Sequence, residues 1–208
     1  MNVVFFGDSL TESVASIAIT DYLPPEWDVH NFGVSGTTIG EYSIYPVDGR
    51  SLLSLYSRNT WMLNADVIVL EYGINDVSSI MCGFTTLDKV VISFVKALDG
   101  IKQKIKNDTK IKFLSISDDY DTIYKYAKKQ CSYLEKEYFK DYNFHFPDYM
   151  WAANYKKLIS EISKRVEVIP MIKKSDVDFM DLFLGPDDLH PNEVGNEIIA
   201  ENIKDLIF

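Results

Sequence analysis

Val3-Val4-Phe5-Phe6-Gly7-Asp8-Ser9-Leu10 opens the chain with a run of β-formers that empties into Gly-Asp-Ser, and a periodic apolar segment follows. Such a stretch reads as a strand that delivers a hydroxyl to the carboxyl edge of a sheet. The helix start behind it offers backbone amides to negative charge. Working outward, residues 2–6 form the first strand and 12–22 a helix carrying Val14, Ile17 and Ala18. Leu23-Pro24-Pro25 ends that helix, because proline cannot donate the next backbone bond.

Residues 27–32 read as a second strand, followed by the small-residue loop Gly33-Val34-Ser35-Gly36-Thr37-Thr38-Ile39-Gly40, and 51–57 as a helix. The near-continuous β-branched run at 66–72, Asp-Val-Ile-Val-Leu-Glu-Tyr, is a strand buried on both faces. Leu87, Val90, Val91, Phe94, Leu98, Ile101 and Ile105 mark one face of a long helix. Residues 110–117 and 166–170 supply a fourth and a fifth strand. A last helix starting near Pro191 is expected to bury Val194, Ile198, Ile199, Ile203 and Leu206. This alternation predicts a parallel sheet with helices on both faces, whose reactive groups gather beyond the carboxyl ends of the strands.

The segment 118–151 fits the alternation least and is crowded with aromatics, from Tyr120 to Trp151. It reads as an insertion or cap within one domain spanning 1–208. Its tyrosines serve either as half-buried packing or as a platform for sugar rings or an acyl chain.

A chain of 208 residues, 47% apolar and 25% charged, suits one soluble domain. A net charge of −10 excludes broad contact with a nucleic-acid backbone or an anionic membrane. No apolar run reaches the ~20 residues of a membrane helix. The N-terminus shows no basic region followed by a signal-type apolar stretch, so a cytoplasmic location is expected. Cys82 and Cys131 form no C-x-x-C pair and read as ordinary thiols.

A serine hydroxyl is a poor nucleophile until a base takes its proton. His190 is the candidate base for Ser9, since an imidazole titrates near ~6.5. In Asp187-Asp188-Leu189-His190, Asp187 stands three residues back, where its carboxylate can hold the imidazole tautomer; Asp188 is the local competitor. The oxyanion of acyl transfer needs donors. The Ser9 and Gly33 amides and the Asn75 side chain, in Gly73-Ile74-Asn75-Asp76, are the candidates. Asp8 and Asp76 are supporting residues that hold the turns around Ser9 and Asn75. Ser35 is a loop hydroxyl, and His30 and His145 are structural or surface groups. With no second histidine at helical ligand spacing, no metal site is expected.

Gly7-Asp8-Ser9-Leu10, Gly33 within Asn31-Phe32-Gly33-Val34-Ser35-Gly36, Gly73-Ile74-Asn75-Asp76 and Asp187-Asp188-Leu189-His190 together resemble the GDSL or SGNH hydrolases, in order and spacing. The resemblance implies a three-layer α/β/α sandwich with a central five-stranded parallel sheet, similar to flavodoxin. It implies Ser9, Asp187 and His190 as the triad, and Ser9, Gly33 and Asn75 as the oxyanion hole, with no cofactor. Glu71-Tyr72 departs from the small apolar pair such enzymes carry there, and 118–151 is longer than a minimal connection. The expected activity is a serine esterase working through an acyl-enzyme on a small-molecule or carbohydrate ester, with acetyl as the favoured acyl group. A lipase or thioesterase, an O-acyltransferase and a non-catalytic carbohydrate-binding protein remain open.

Overall fold

The computed structural model describes residues 1–12, 17–42, 51–58, 60–141, 145–173, 182–183 and 189–207. Five parallel strands, β1 (Asn2–Gly7), β2 (Asp28–Gly33), β3 (Val67–Glu71), β4 (Lys110–Ser115) and β5 (Glu167–Pro170), lie in the order β2-β1-β3-β4-β5. β1 and β3 are central and buried on both faces, which is why their sequences are nearly continuous apolar runs. β2 lies at the sheet edge and has partly exposed residues throughout.

Parallel neighbours require crossovers, and those crossovers are right-handed as a rule. The chain steps from β1 to β2 through α1 (Ser9–Glu12) and a short 3-10 turn (Ile19–Tyr22), then passes back over β1 to reach β3. The reversal at β1 is a topological switch point, where a crevice opens beyond the strand ends. α2 (Leu52–Arg58) packs on α4 (Leu87–Lys102), which also contacts α3 (Ile74–Met81) and α6 (Asp148–Ser163). α5 (Tyr120–Glu137) packs on α6. α7 (Glu193–Ile207) instead packs on the 3-10 turn and β5, in the layer of α1.

Three expectations change. The helix over 12–22 does not run as drawn: α1 begins at Ser9, Ile17 is exposed, and Ala18 is extended at φ −64°, ψ 149° before the 3-10 turn. Val14 lies outside the described residues. Val194 is also exposed, because the buried face of α7 runs through Gly195, Ile199, Ile203 and Ile207. Between β4 and β5 the aromatic segment supplies two helices. Tyr126, Phe146 and Trp151 enter the core, while Tyr120, Tyr138 and Tyr149 stay exposed.

Candidate active site

Strand register brings Gly7 level with Gly33 on one side and with Glu71 on the other. Everything beyond that level is the carboxyl edge, and Ser9 stands there, half-buried, as the first residue of α1. Asp8, not Ser9, caps this helix: its carbonyl accepts from Glu12 N at 2.9 Å and its Oδ1 from Leu10 N at 3.1 Å. The Ser9 hydroxyl is thereby relieved of the capping role. α1 lies directly on β2, because a Cβ on Gly33 would fall 2.3 Å from Glu12 N.

Asn75 arrives from β3 through Gly73, whose φ of +115° turns the chain into α3 in a conformation that glycine adopts without strain. Its Nδ2 donates to Asp8 Oδ2 at 3.1 Å and to the Thr37 carbonyl at 2.9 Å. Asp8 thus joins the nucleophile turn to α3. Asp76 reaches the loop after β2 rather than its own turn. Both its oxygens accept from Ile39 N, at 3.0 and 3.2 Å, and Oδ1 accepts from Tyr42 Oη at 3.3 Å. Burial lifts the Asp76 carboxyl to about 7, against the lowering effect of those donors.

The Gly33 amide is engaged at the end of its own strand. Its N–H donates to Asn31 Oδ1 at 2.9 Å, and Asn31 Nδ2 donates on to the Thr11 carbonyl at 2.7 Å. Gly33 therefore serves the contact between β2 and α1. Gly36, at φ +75°, adjoins the Thr37 carbonyl that Asn75 meets.

His190 is half-buried ahead of α7, beside Pro191, which forms a bridge with Phe183. It lies close enough to Asp8 that a positive charge on its ring would draw the Asp8 carboxyl down. Asp187 and Asp188 lie outside the described residues. Ser35 is held by Glu12, which accepts from both its amide, at 2.6 Å, and its hydroxyl. His30 stands 3.4 Å from Asp28, and His145 stands 2.7 Å from Glu135, so each has a carboxylate beside it that its sequence neighbourhood did not single out. Burial pushes the free thiols of Cys82 and Cys131 up to about 11 and about 12, away from nucleophilic use. Among the described residues, no three His, Cys, Asp or Glu side chains gather into a possible metal site, and no helix is long and apolar enough to cross a membrane.

Residues 3–203 of the chain, which include Ser9, Asn75 and His190, match the GDSL-like Lipase/Acylhydrolase family model. The chain belongs to that family. As a GDSL hydrolase it is a carboxylic ester hydrolase. No curated protein matches it by sequence. Solved structures share its fold at low identity. A carbohydrate acetylesterase family member from Sinorhizobium meliloti is 13% identical with a TM-score of 0.58, covering 99% of this chain and 96% of that one. A catalytic mutant of an acetylxylan esterase from Geobacillus stearothermophilus is 15% identical with a TM-score of 0.57, covering 99% and 93%. A lipolytic protein of the G-D-S-L family from Desulfitobacterium hafniense is 12% identical with a TM-score of 0.61, covering 99% and 98%. At these identities the likeness is one of fold.

Proposed function

We propose that this GDSL hydrolase cleaves short-chain esters, with an acetyl group on a carbohydrate as its substrate class, through an acyl-enzyme on Ser9. His190 takes the Ser9 proton as the hydroxyl oxygen attacks the acyl carbon, then returns it to the departing alcohol. In the second half His190 activates water, which releases the acid and restores Ser9. Asp187 orients the imidazole. The oxyanion is received by the Ser9 amide and by Asn75 Nδ2, which exchanges one of its present acceptors for the substrate oxygen. The third donor is the Gly33 amide, which gives up its bond to Asn31 Oδ1 for the substrate oxygen.

The observation that carries the reading is the meeting of three segments at one edge. Asp8, next to Ser9, bonds Asn75 at 3.1 Å and lies near enough to His190 for a charge on that ring to act on it. Support for acetyl esters comes from the acetylesterases that share the fold.

The test is hydrolysis of p-nitrophenyl esters from acetate to octanoate by wild type and by folded Ser9→Ala. Turnover should be fastest on acetate, fade with chain length and fall by about 1,000-fold or more in the variant. Acetylated sugars follow as substrates. Rates that climb with chain length would replace this reading by a lipase or thioesterase. A folded wild type inert on every ester would overturn hydrolysis and leave acyl transfer or carbohydrate binding.

A further inference from the structure

Glu71 is the residue at the site for which ester hydrolysis has no evident use. It ends β3 level with Gly7 and is 1% exposed, as is Asp8. Glu71 Oε2 accepts from the Asp8 amide and from Thr11 Oγ1, each at 3.3 Å. The two carboxyls lie close enough for the charge on Glu71 to oppose ionisation of Asp8. Two buried carboxyls side by side cannot both be charged without large repulsion, so one of them keeps its proton. The Asp8 oxygens meanwhile accept from Leu10 N and Asn75 Nδ2, each at 3.1 Å.

We propose that Glu71 is a positioning residue of the esterase site: its buried carboxyl holds Asp8, through the Asp8 amide, as a clamp between the Ser9 turn and the Asn75 amide. This rests on the esterase reading above. The clamp spans β1, α1, β3 and α3, so a shift of Asp8 moves the nucleophile turn and the oxyanion donor together.

The clamp depends on a proton. Burial, then the Glu71 charge, raises Asp8 well above the usual carboxylate range; burial also raises Glu71. The other titratable groups facing the pair are Asp76 on α3, Tyr72 after β3, Tyr155 on α6 and His190 ahead of α7. Asp76 opposes ionisation of Glu71, whereas a charged His190 favours that of Asp8. As pH rises that proton leaves, two charges face each other, and the clamp opens. Activity therefore falls on the alkaline side.

The experiment measures kcat and KM for p-nitrophenyl acetate against pH, together with the NMR resonance of the Asn75 side-chain amide. Wild type, Glu71→Gln, Asp8→Asn and Ser9→Ala are compared, each checked for folding. The amide oxygen in Glu71→Gln still accepts from Asp8 N and Thr11, but it forms no charged pair with Asp8. The amide nitrogen of that variant can donate to the Asp8 carboxyl without a titrating proton, so the variant should remove the alkaline fall and move the Asn75 resonance, with KM within about twofold. Asp8→Asn offers Glu71 a permanent donor but loses one acceptor, for Leu10 N or Asn75 Nδ2, so it should remove the alkaline fall while lowering kcat, even if Glu71→Gln does not fold. A folded Glu71→Gln with the wild-type pH profile, or an unmoved Asn75 resonance, would overturn the proposal. A wild type inert on all esters strikes the esterase reading instead, and the Asn75 resonance still decides the clamp.

Discussion

At the scale of the residue, the site is defined by where buried carboxyls find donors. Asp8 serves as helix cap, Asn75 partner and Glu71 partner at once, so it ties together more of the expected site than its place beside Ser9 suggests. Asp76 offers a test independent of turnover. Its carboxyl titrates near 7 in the folded chain and near ~4 unfolded, so the unfolded state ionises first as pH rises. The stability this group contributes is fully present below ~4 and is lost as pH climbs through about 7. Urea midpoints should therefore fall from acid to neutral pH, the loss approaching about 1.4 kcal/mol for each pH unit crossed between those two values. Asp76→Asn should flatten that slope; an unchanged slope would remove Asp76 as its cause.

At the scale of the element, α1 is set by its contact with β2 rather than by helical propensity, since it is only four residues long. Gly33 is the point of contact. A methyl there would meet the Thr11 carbonyl carbon at 2.6 Å and Glu12 N at 2.3 Å, both backbone atoms that cannot swing aside. Gly33→Ala should cost about 1–3 kcal/mol in thermal or urea unfolding. It should also lower kcat on p-nitrophenyl acetate, because α1 carries Ser9 with it. If the variant kept wild-type stability and turnover, Gly33 would not be what seats α1. The five strands were legible as elements because apolar β-formers run together and the loops between them are polar. The error over 12–22 arose because helical spacing of apolar residues says nothing about where the backbone leaves the helix. Ala18 does so while the pattern continues.

At the scale of the whole molecule, a buried hydroxyl links α3 to both helices of the β4–β5 crossover. Ser78 Oγ accepts from Gln130 Nε2 on α5 at 3.0 Å and from Trp151 Nε1 on α6 at 3.2 Å. It donates to the Ile74 carbonyl at 3.0 Å. The aromatic segment thus braces the helix that carries Asn75. Ser78→Ala leaves two buried donors without that acceptor, and each orphaned group costs about 1–3 kcal/mol. Unfolding in urea should show a loss in that range or above; a loss below about 0.5 kcal/mol would mean the brace is not made.

The sequence by itself determined the strand run ending at Gly7, the order of the motifs and the candidacy of Ser9, Asn75 and His190, because these depend on local pattern. Tertiary structure alone decided that Gly33 spends its amide on Asn31, that Asp76 reaches across to Ile39, and that Glu71 faces Asp8. Glu71 stood out in the sequence only as an oddity. Its role depends on register, which sets residues 64 positions apart side by side when β3 pairs with β1 at Gly7 and Glu71. Burial then turns two ordinary carboxyls into a pair of which one must keep its proton, and no local pattern encodes burial of that kind.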